Sequence, residues 1–96
     1  MNENNNIYPI SQMAVDRAKQ FTHKFIFDRK KELNLSNYML AKLAGMNRQI
    51  IDTYEKDYKH NITIENYFRV CGALKLRPYL IASEDDETKF HFEHFN

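Results

Sequence analysis

The sequence predicts a mainly α-helical domain closed by short C-terminal strands. Three observations carry that prediction. Four stretches place apolar residues at helical spacing, and each follows a residue suited to cap a helix N-terminus. One of only two glycines, Gly45, separates two of these stretches, and Asn47 restarts the chain at once. After Pro78 the pattern changes to short apolar runs of strand character.

The elements follow in chain order. Residues 1–10 are Asn-rich and polar, with Pro9 near their end, and read as a flexible arm. Ser11 is the expected N-cap of a first helix reaching about Leu33, with Ala14, Ala18, Phe21 and Phe25 at helical spacing. Within it Lys24–Phe27 (KFIF) is apolar without clear periodicity, which predicts a bend or break there. Asn34 suits the left-handed residue after a helix, and Ser36 suits the next cap. The second helix is expected over Asn37–Ala44, with Leu40, Ala41, Leu43 and Ala44 facing inward. Gly45 ends it, because glycine enters the left-handed region with no Cβ penalty. Asn47 caps a third helix over Arg48–Lys56, with Ile51 and Tyr54 facing in.

Asp57–Asn61 reads as a polar loop. Thr63 caps a fourth helix ending near Lys75, on which Ile64, Tyr67, Phe68, Cys71 and Leu74 share one face. Gly72 lies inside that helix, where close packing is the expected reason for it. Beyond Pro78, Tyr79–Ser83 and Lys89–Phe95 flank the acidic turn Glu84–Glu87 and read as two strands. Two isolated strands are marginal in water, so they are expected to pair at a dimer interface, within one subunit or across two. The chain thus divides into an arm (1–10), a helical domain (11–77) and a C-terminal dimerisation segment (78–96).

Composition narrows the function. Ninety-six residues make one domain with a core that is feasible but not generous. A single cysteine excludes an intrachain disulfide and a thiolate metal cluster, and fits a reducing cytosol. No apolar run approaches the roughly 20 residues that span a bilayer. MNENNNIYPI lacks the basic and apolar regions of a signal peptide, so a cytoplasmic location is expected. The net charge of +1 hides a gradient: Arg17 to Ser83 carries 13 Lys/Arg against 6 Asp/Glu, and Glu84–Glu87 is wholly acidic. A basic body suits a polyanionic partner, though it suits a mixed solvated surface equally well.

No Ser/His/Asp order, phosphate-cradling glycine loop or paired-carboxylate site is present, so neither an enzyme nor a cofactor is expected. His91 and His94, three apart in a strand, face opposite sides and do not make a metal site. Cys71 on an inward face reads as a small hydrophobe rather than a nucleophile.

Two helices of about two turns around a glycine turn describe a helix-turn-helix. Ala41 supplies the small residue where the two helices cross, and Leu40, Ala44, Met46, Ile51 and Tyr54 form the shared core. Lys42, Arg48, Gln49, Asp52, Thr53 and Lys56 lie outside it.

The segment from about Lys30 to Ile81, carried by LNLSNYMLAKLAGMNRQIIDTYEKD and NITIENYFRVCGALKL, resembles the lambda-repressor-like, or Xre-type, helix-turn-helix family. The matching features are Leu40-Ala41, Gly45, Ile51, Glu55, the Ile64–Leu76 run and Tyr79–Ile81. The tail LRPYLIAS looks like that of the HipB-type antitoxins. That resemblance implies a homodimeric repressor whose C-terminal strand pairs across the dimer, which represses its own operon and binds a HipA-like kinase toxin. The chain departs from the family pattern in two places. Asn37 and Tyr38 stand where the family often has a Gln that braces a DNA phosphate. Lys30, beside Arg29, stands where an Arg often pairs with the Glu of the third helix, here Glu55.

The expected function is a dimeric repressor of double-stranded DNA that reads a pseudo-palindromic operator. Asn47, Arg48, Gln49, Asp52 and Thr53 would face base edges, Arg48 suiting guanine and Gln49 adenine. Asp52 would accept from a cytosine amino group or orient Arg48. Asn37, Tyr38, Lys42, Lys56 and Lys59 are the expected phosphate contacts. The alternative expectation is an antitoxin whose main role is neutralising a partner toxin, with autorepression secondary. A helix-turn-helix scaffold without DNA binding is a third.

Overall fold

A computed structural model describes residues 9–80 and residue 82. The described residues form four helices: α1 (Gln12–Glu32), α2 (Asn37–Ala44), α3 (Arg48–Lys56) and α4 (Ile64–Ala73). Each begins at the capping residue the sequence marks. Ser11 Oγ accepts from the Ala14 N–H at 3.0 Å, Ser36 Oγ from Met39 at 3.1 Å, Asn47 Oδ1 from Gln49 at 2.7 Å, and Thr63 Oγ1 from Asn66 at 3.1 Å. Each satisfies one of the orphan donors of a helix start, an effect of about 1 kcal/mol. Asn34 (φ 55°) and Gly45 (φ 68°) take the left-handed conformations expected of them.

Three helix C-termini are closed by side chains from another helix. His23 Nε2 of α1 lies 2.9 Å from the Tyr54 carbonyl and 3.1 Å from that of Glu55, at the end of α3. Two carbonyls can only accept, so Nε2 carries the hydrogen. Arg29 Nε of α1 donates to the carbonyl of Leu74, the C-cap of α4, at 3.0 Å. Arg69 Nη1 of α4 donates to the Ala44 carbonyl at the end of α2, at 3.3 Å. Each clasp gives a helix-end carbonyl a partner, the Tyr54 carbonyl one besides the Asp57 N–H, and the two arginines also place a cation at the negative end of a helix dipole.

The core is one cluster of Ile26, Leu40, Ala41, Ile51, Tyr54, Val70 and Leu74, so every helix contributes to it. Ala41 is buried, and its carbonyl accepts from Met46 at 3.0 Å as the chain turns toward α3.

The structure corrects several inward assignments. α1 runs through Lys24–Phe27 without interruption. Its buried residue is Ile26, whereas Phe21 and Phe25 are 71% and 55% exposed. Successive helical residues are rotated by about 100°, so the true stripe lies one position away from the one the phenylalanines mark. That stripe includes Thr22, His23 and Lys30, polar residues that an apolar count passes over. In α4 the buried positions are Val70 and Cys71, followed by Leu74, while Ile64 and Phe68 face out. Leu43 of α2 is likewise exposed. A Cβ on Gly72 would meet nothing within 4 Å, so close packing is not the reason for that glycine, and nothing in the structure explains it.

Of the expected strand residues, Tyr79, Leu80 and Ala82 are described and form no strand. The rest of both strands, the acidic turn, His91 and His94, and residues 1–8 of the arm lie outside the described residues. No helix among the described residues is long and apolar enough to cross a membrane.

Candidate nucleic-acid interface

The surface of interest is built by the turn between α2 and α3. At Gly45 the backbone reverses in the left-handed region, and its N–H points back to the carbonyls of Ala41 and Lys42. Asn47 restarts the chain two residues later. Burial of Ile51 and Tyr54 then fixes the rotation of α3 about its axis. Arg48, Gln49, Thr53 and Lys56 are left exposed, and Asp52 half-buried. The nine residues of α3 make a rod about 13 Å long with its polar face outward.

Charged and amide groups brace that rod. Arg48 Nε lies 3.5 Å from Asp52 Oδ2, one turn along α3. The Asn37 amide Nδ2 donates to Asp52 Oδ1 at 2.8 Å and to Glu55 Oε1 at 2.8 Å. The other Glu55 oxygen lies 3.8 Å from Lys30 Nζ. Of the two cations offered to Glu55 by the sequence, Lys30 therefore takes it. Arg29 is turned instead toward Glu32, at 3.2 Å, and the Leu74 carbonyl.

The remaining expected contacts fall at two ends of the surface. Tyr38 is exposed on α2, with Lys42 Nζ 6.0 Å from its ring centroid. Lys56 closes α3, about 12 Å along the axis from Arg48. Lys59 lies in the following loop, with Nζ 5.8 Å from the Tyr58 ring centroid and its carbonyl accepting from Lys19 at 3.2 Å. Two amides have commitments within the fold. Asn47 gives its carbonyl oxygen to the cap, and Asn37 gives its Nδ2 to α3. Sequence reasoning missed the three clasping residues, His23, Arg29 and Arg69. The available signal was polar residues on or beside the inward stripes.

Burial pushes the Tyr54 hydroxyl up to about 12, with Tyr67 and Cys71 adding in the same direction. Burial also raises the Cys71 thiol, which opposes formation of a thiolate. Among the described residues no group of His, Cys, Asp and Glu is placed to hold a metal ion.

A short helix locked by a glycine turn to a second, whose apolar side is buried and whose polar side is presented, defines a helix-turn-helix domain. A family model described as Helix-turn-helix matches residues 27–81, more than half of the chain. The chain belongs to that family, the Xre-type or lambda-repressor-like helix-turn-helix, a class of DNA-binding transcription regulators. No curated protein and no solved structure matches the chain.

Proposed function

We propose that the protein is a sequence-specific repressor that binds a pseudo-palindromic operator as a homodimer, reading each half-site with α3. It acts by binding, not by catalysis, and works in the cytoplasm. The observation that carries this reading is the rotation of α3. Ile51 and Tyr54 are buried, so Arg48 and Gln49 stand together and exposed at the helix N-terminus. That end of a recognition helix enters the major groove. Arg48 presents a fork of donors to guanine O6 and N7, and Gln49 a donor and acceptor to adenine, each discriminating by about 1–3 kcal/mol. Asn47 and Thr53 flank them. Tyr38 and Lys42 on one side, and Lys56 and Lys59 on the other, hold phosphates and set the register.

Dimerisation is supported by the shortness of α3, which reads only a few base pairs, and by exposed Phe21 and Phe25 on α1. The test is selection of bound duplexes from a random pool, with the mass of the complex measured alongside. A two-fold symmetric consensus bound by two chains is expected. Replacing Arg48 and Gln49 together by Ala should weaken binding to the selected site by at least roughly tenfold, with helix content retained. Operator affinity unchanged in that variant would sink the assignment.

A further inference from the structure

We infer that Asn37, the first residue of α2, is a positioning residue for Arg48, acting through the Asp52 carboxylate. The inference rests on the reading of α3 as the base-contacting helix. Five side chains from three helices form one unbroken chain: Lys30, Glu55, Asn37, Asp52, Arg48. Each carboxylate in it is divided. Asp52 gives Oδ1 to Asn37 at 2.8 Å and Oδ2 to Arg48 at 3.5 Å. Glu55 gives Oε1 to Asn37 at 2.8 Å and Oε2 to Lys30 at 3.8 Å.

The orientation of the Asn37 amide follows from its neighbours. Both contacts are carboxylate oxygens, which only accept, so the NH2 group must face them. Turned over, the amide would set its own oxygen against two others. In the observed orientation Oδ1 is buried with no partner, so the side chain is committed wholly to α3. Asp52 and Glu55 sit three apart on α3, where like charges repel. The shared amide holds the two carboxylates in place, and Asp52 thereby stands as a placed anion 3.5 Å from Arg48 Nε.

Arg48 gains direction from this. It is exposed at the start of its helix, and without Asp52 its long side chain would sample many rotamers. An ion pair at Nε leaves the Nη1 and Nη2 edge available on a side chain that is 62% exposed. That edge is the fork that matches guanine O6 and N7. Asp52 then serves Arg48 rather than reading a base itself, and Asn37 helps set how strongly a guanine is preferred.

The test uses the full chain and the operator obtained by selection. Affinity is measured for that operator, for versions with each base pair replaced, and for an unrelated duplex, all at one salt concentration. Asn37→Ala should reduce the preference for the guanine pair lost in Arg48→Ala by roughly fivefold to tenfold. Affinity for the unrelated duplex should stay nearly constant, because the Asn37 amide is engaged by Asp52 and Glu55 and is not offered to the phosphate expected of it from the sequence. In an Arg48→Ala background, Asn37→Ala should change no further base preference. If Asn37→Ala does not fold, Asp52→Ala breaks the same link and should give the same loss of preference. A uniform fall in affinity for every duplex would make Asn37 merely structural and overturn the inference. So would a guanine preference kept in both variants but lost in Arg48→Ala, and that outcome leaves the base-reading assignment standing. A guanine preference that survives Arg48→Ala defeats both.

Discussion

Arg69 Nη1 donates to the Ala44 carbonyl at 3.3 Å, and the same nitrogen stands 3.1 Å from where a Cβ on Gly45 would lie. The turn is therefore closed from two directions: by its left-handed backbone, φ 68°, and by a guanidinium from α4 laid over it. Gly45→Ala should lower the free energy of unfolding by about 1–2 kcal/mol, the cost of a left-handed L-residue. Displacement of Arg69 adds to the loss. Gly45→Asn should cost less, because Asn enters this region more readily. Urea unfolding measures both, and an alanine variant as stable as the parent would contradict the account.

The corrected face of α1 makes a sharp contrast between adjacent residues. Ile26 is buried against α2, α3 and α4, and Phe25 is 55% exposed. Ile26→Ala should cost about 2–5 kcal/mol through lost transfer energy and an unfilled cavity. Phe25→Ala should cost less than about 1 kcal/mol in the monomer, as surface substitutions do. Thermal unfolding at low concentration separates them. Equal losses would restore the phenylalanine face to the core.

What could be read from the sequence was what local chemistry decides. Ser11, Ser36, Asn47 and Thr63 cap through bonds to residues two or three positions on, so the cap and its partner are written side by side. Gly45 needs only its own backbone. The stripe of α1 is not legible in this way, because Phe21 and Phe25 outweigh Thr22, His23 and Ile26 in apolar count, and only the approach of the other helices decides between them. His23 meets a carbonyl 31 positions away, and Arg69 one 25 positions away, so no local pattern announces them. The sequence offers Glu55 two adjacent cations, and the rotation of α1, which turns Arg29 to the Leu74 carbonyl, leaves Lys30 as the partner. The outward face of α3 is legible because the burial of Ile51 and Tyr54, three apart, is itself a local pattern.

The proposed phosphate contacts and base contacts should separate by salt. Lys42 and Lys56 are exposed and lie at the two ends of the surface. Replacing either by Ala should weaken binding to all duplexes alike and reduce the magnitude of the salt slope by about 1, because one counterion fewer is released. Arg48→Ala should chiefly erase preference at one base pair. Fluorescence anisotropy titrations over a salt series distinguish the two. A lysine variant with an unaltered slope would remove that residue from the phosphate set.

Tyr54 gives the fold a defined alkaline limit. Its hydroxyl is buried in the core and pushed from the ordinary 10.0 up to about 12, first by burial and then by Tyr67 and Cys71. Below pH 10 the phenol is protonated in both the folded and the unfolded chain, and its contribution to stability is fully present. Between about 10 and about 12 the unfolded chain loses the proton while the folded chain keeps it. The unfolded state is then favoured, and stability falls as pH rises. Tyr54→Phe keeps the ring against His23 and Phe27 but removes the titrating group. The difference in urea midpoint between parent and variant should hold steady below pH 10, then shift in favour of the variant toward pH 12. Burial raises Tyr67 and Cys71 as well, so the alkaline decline should be reduced in the variant and not abolished. A midpoint difference independent of pH across that window would show that Tyr54 ionises in the folded protein as it does in the unfolded chain.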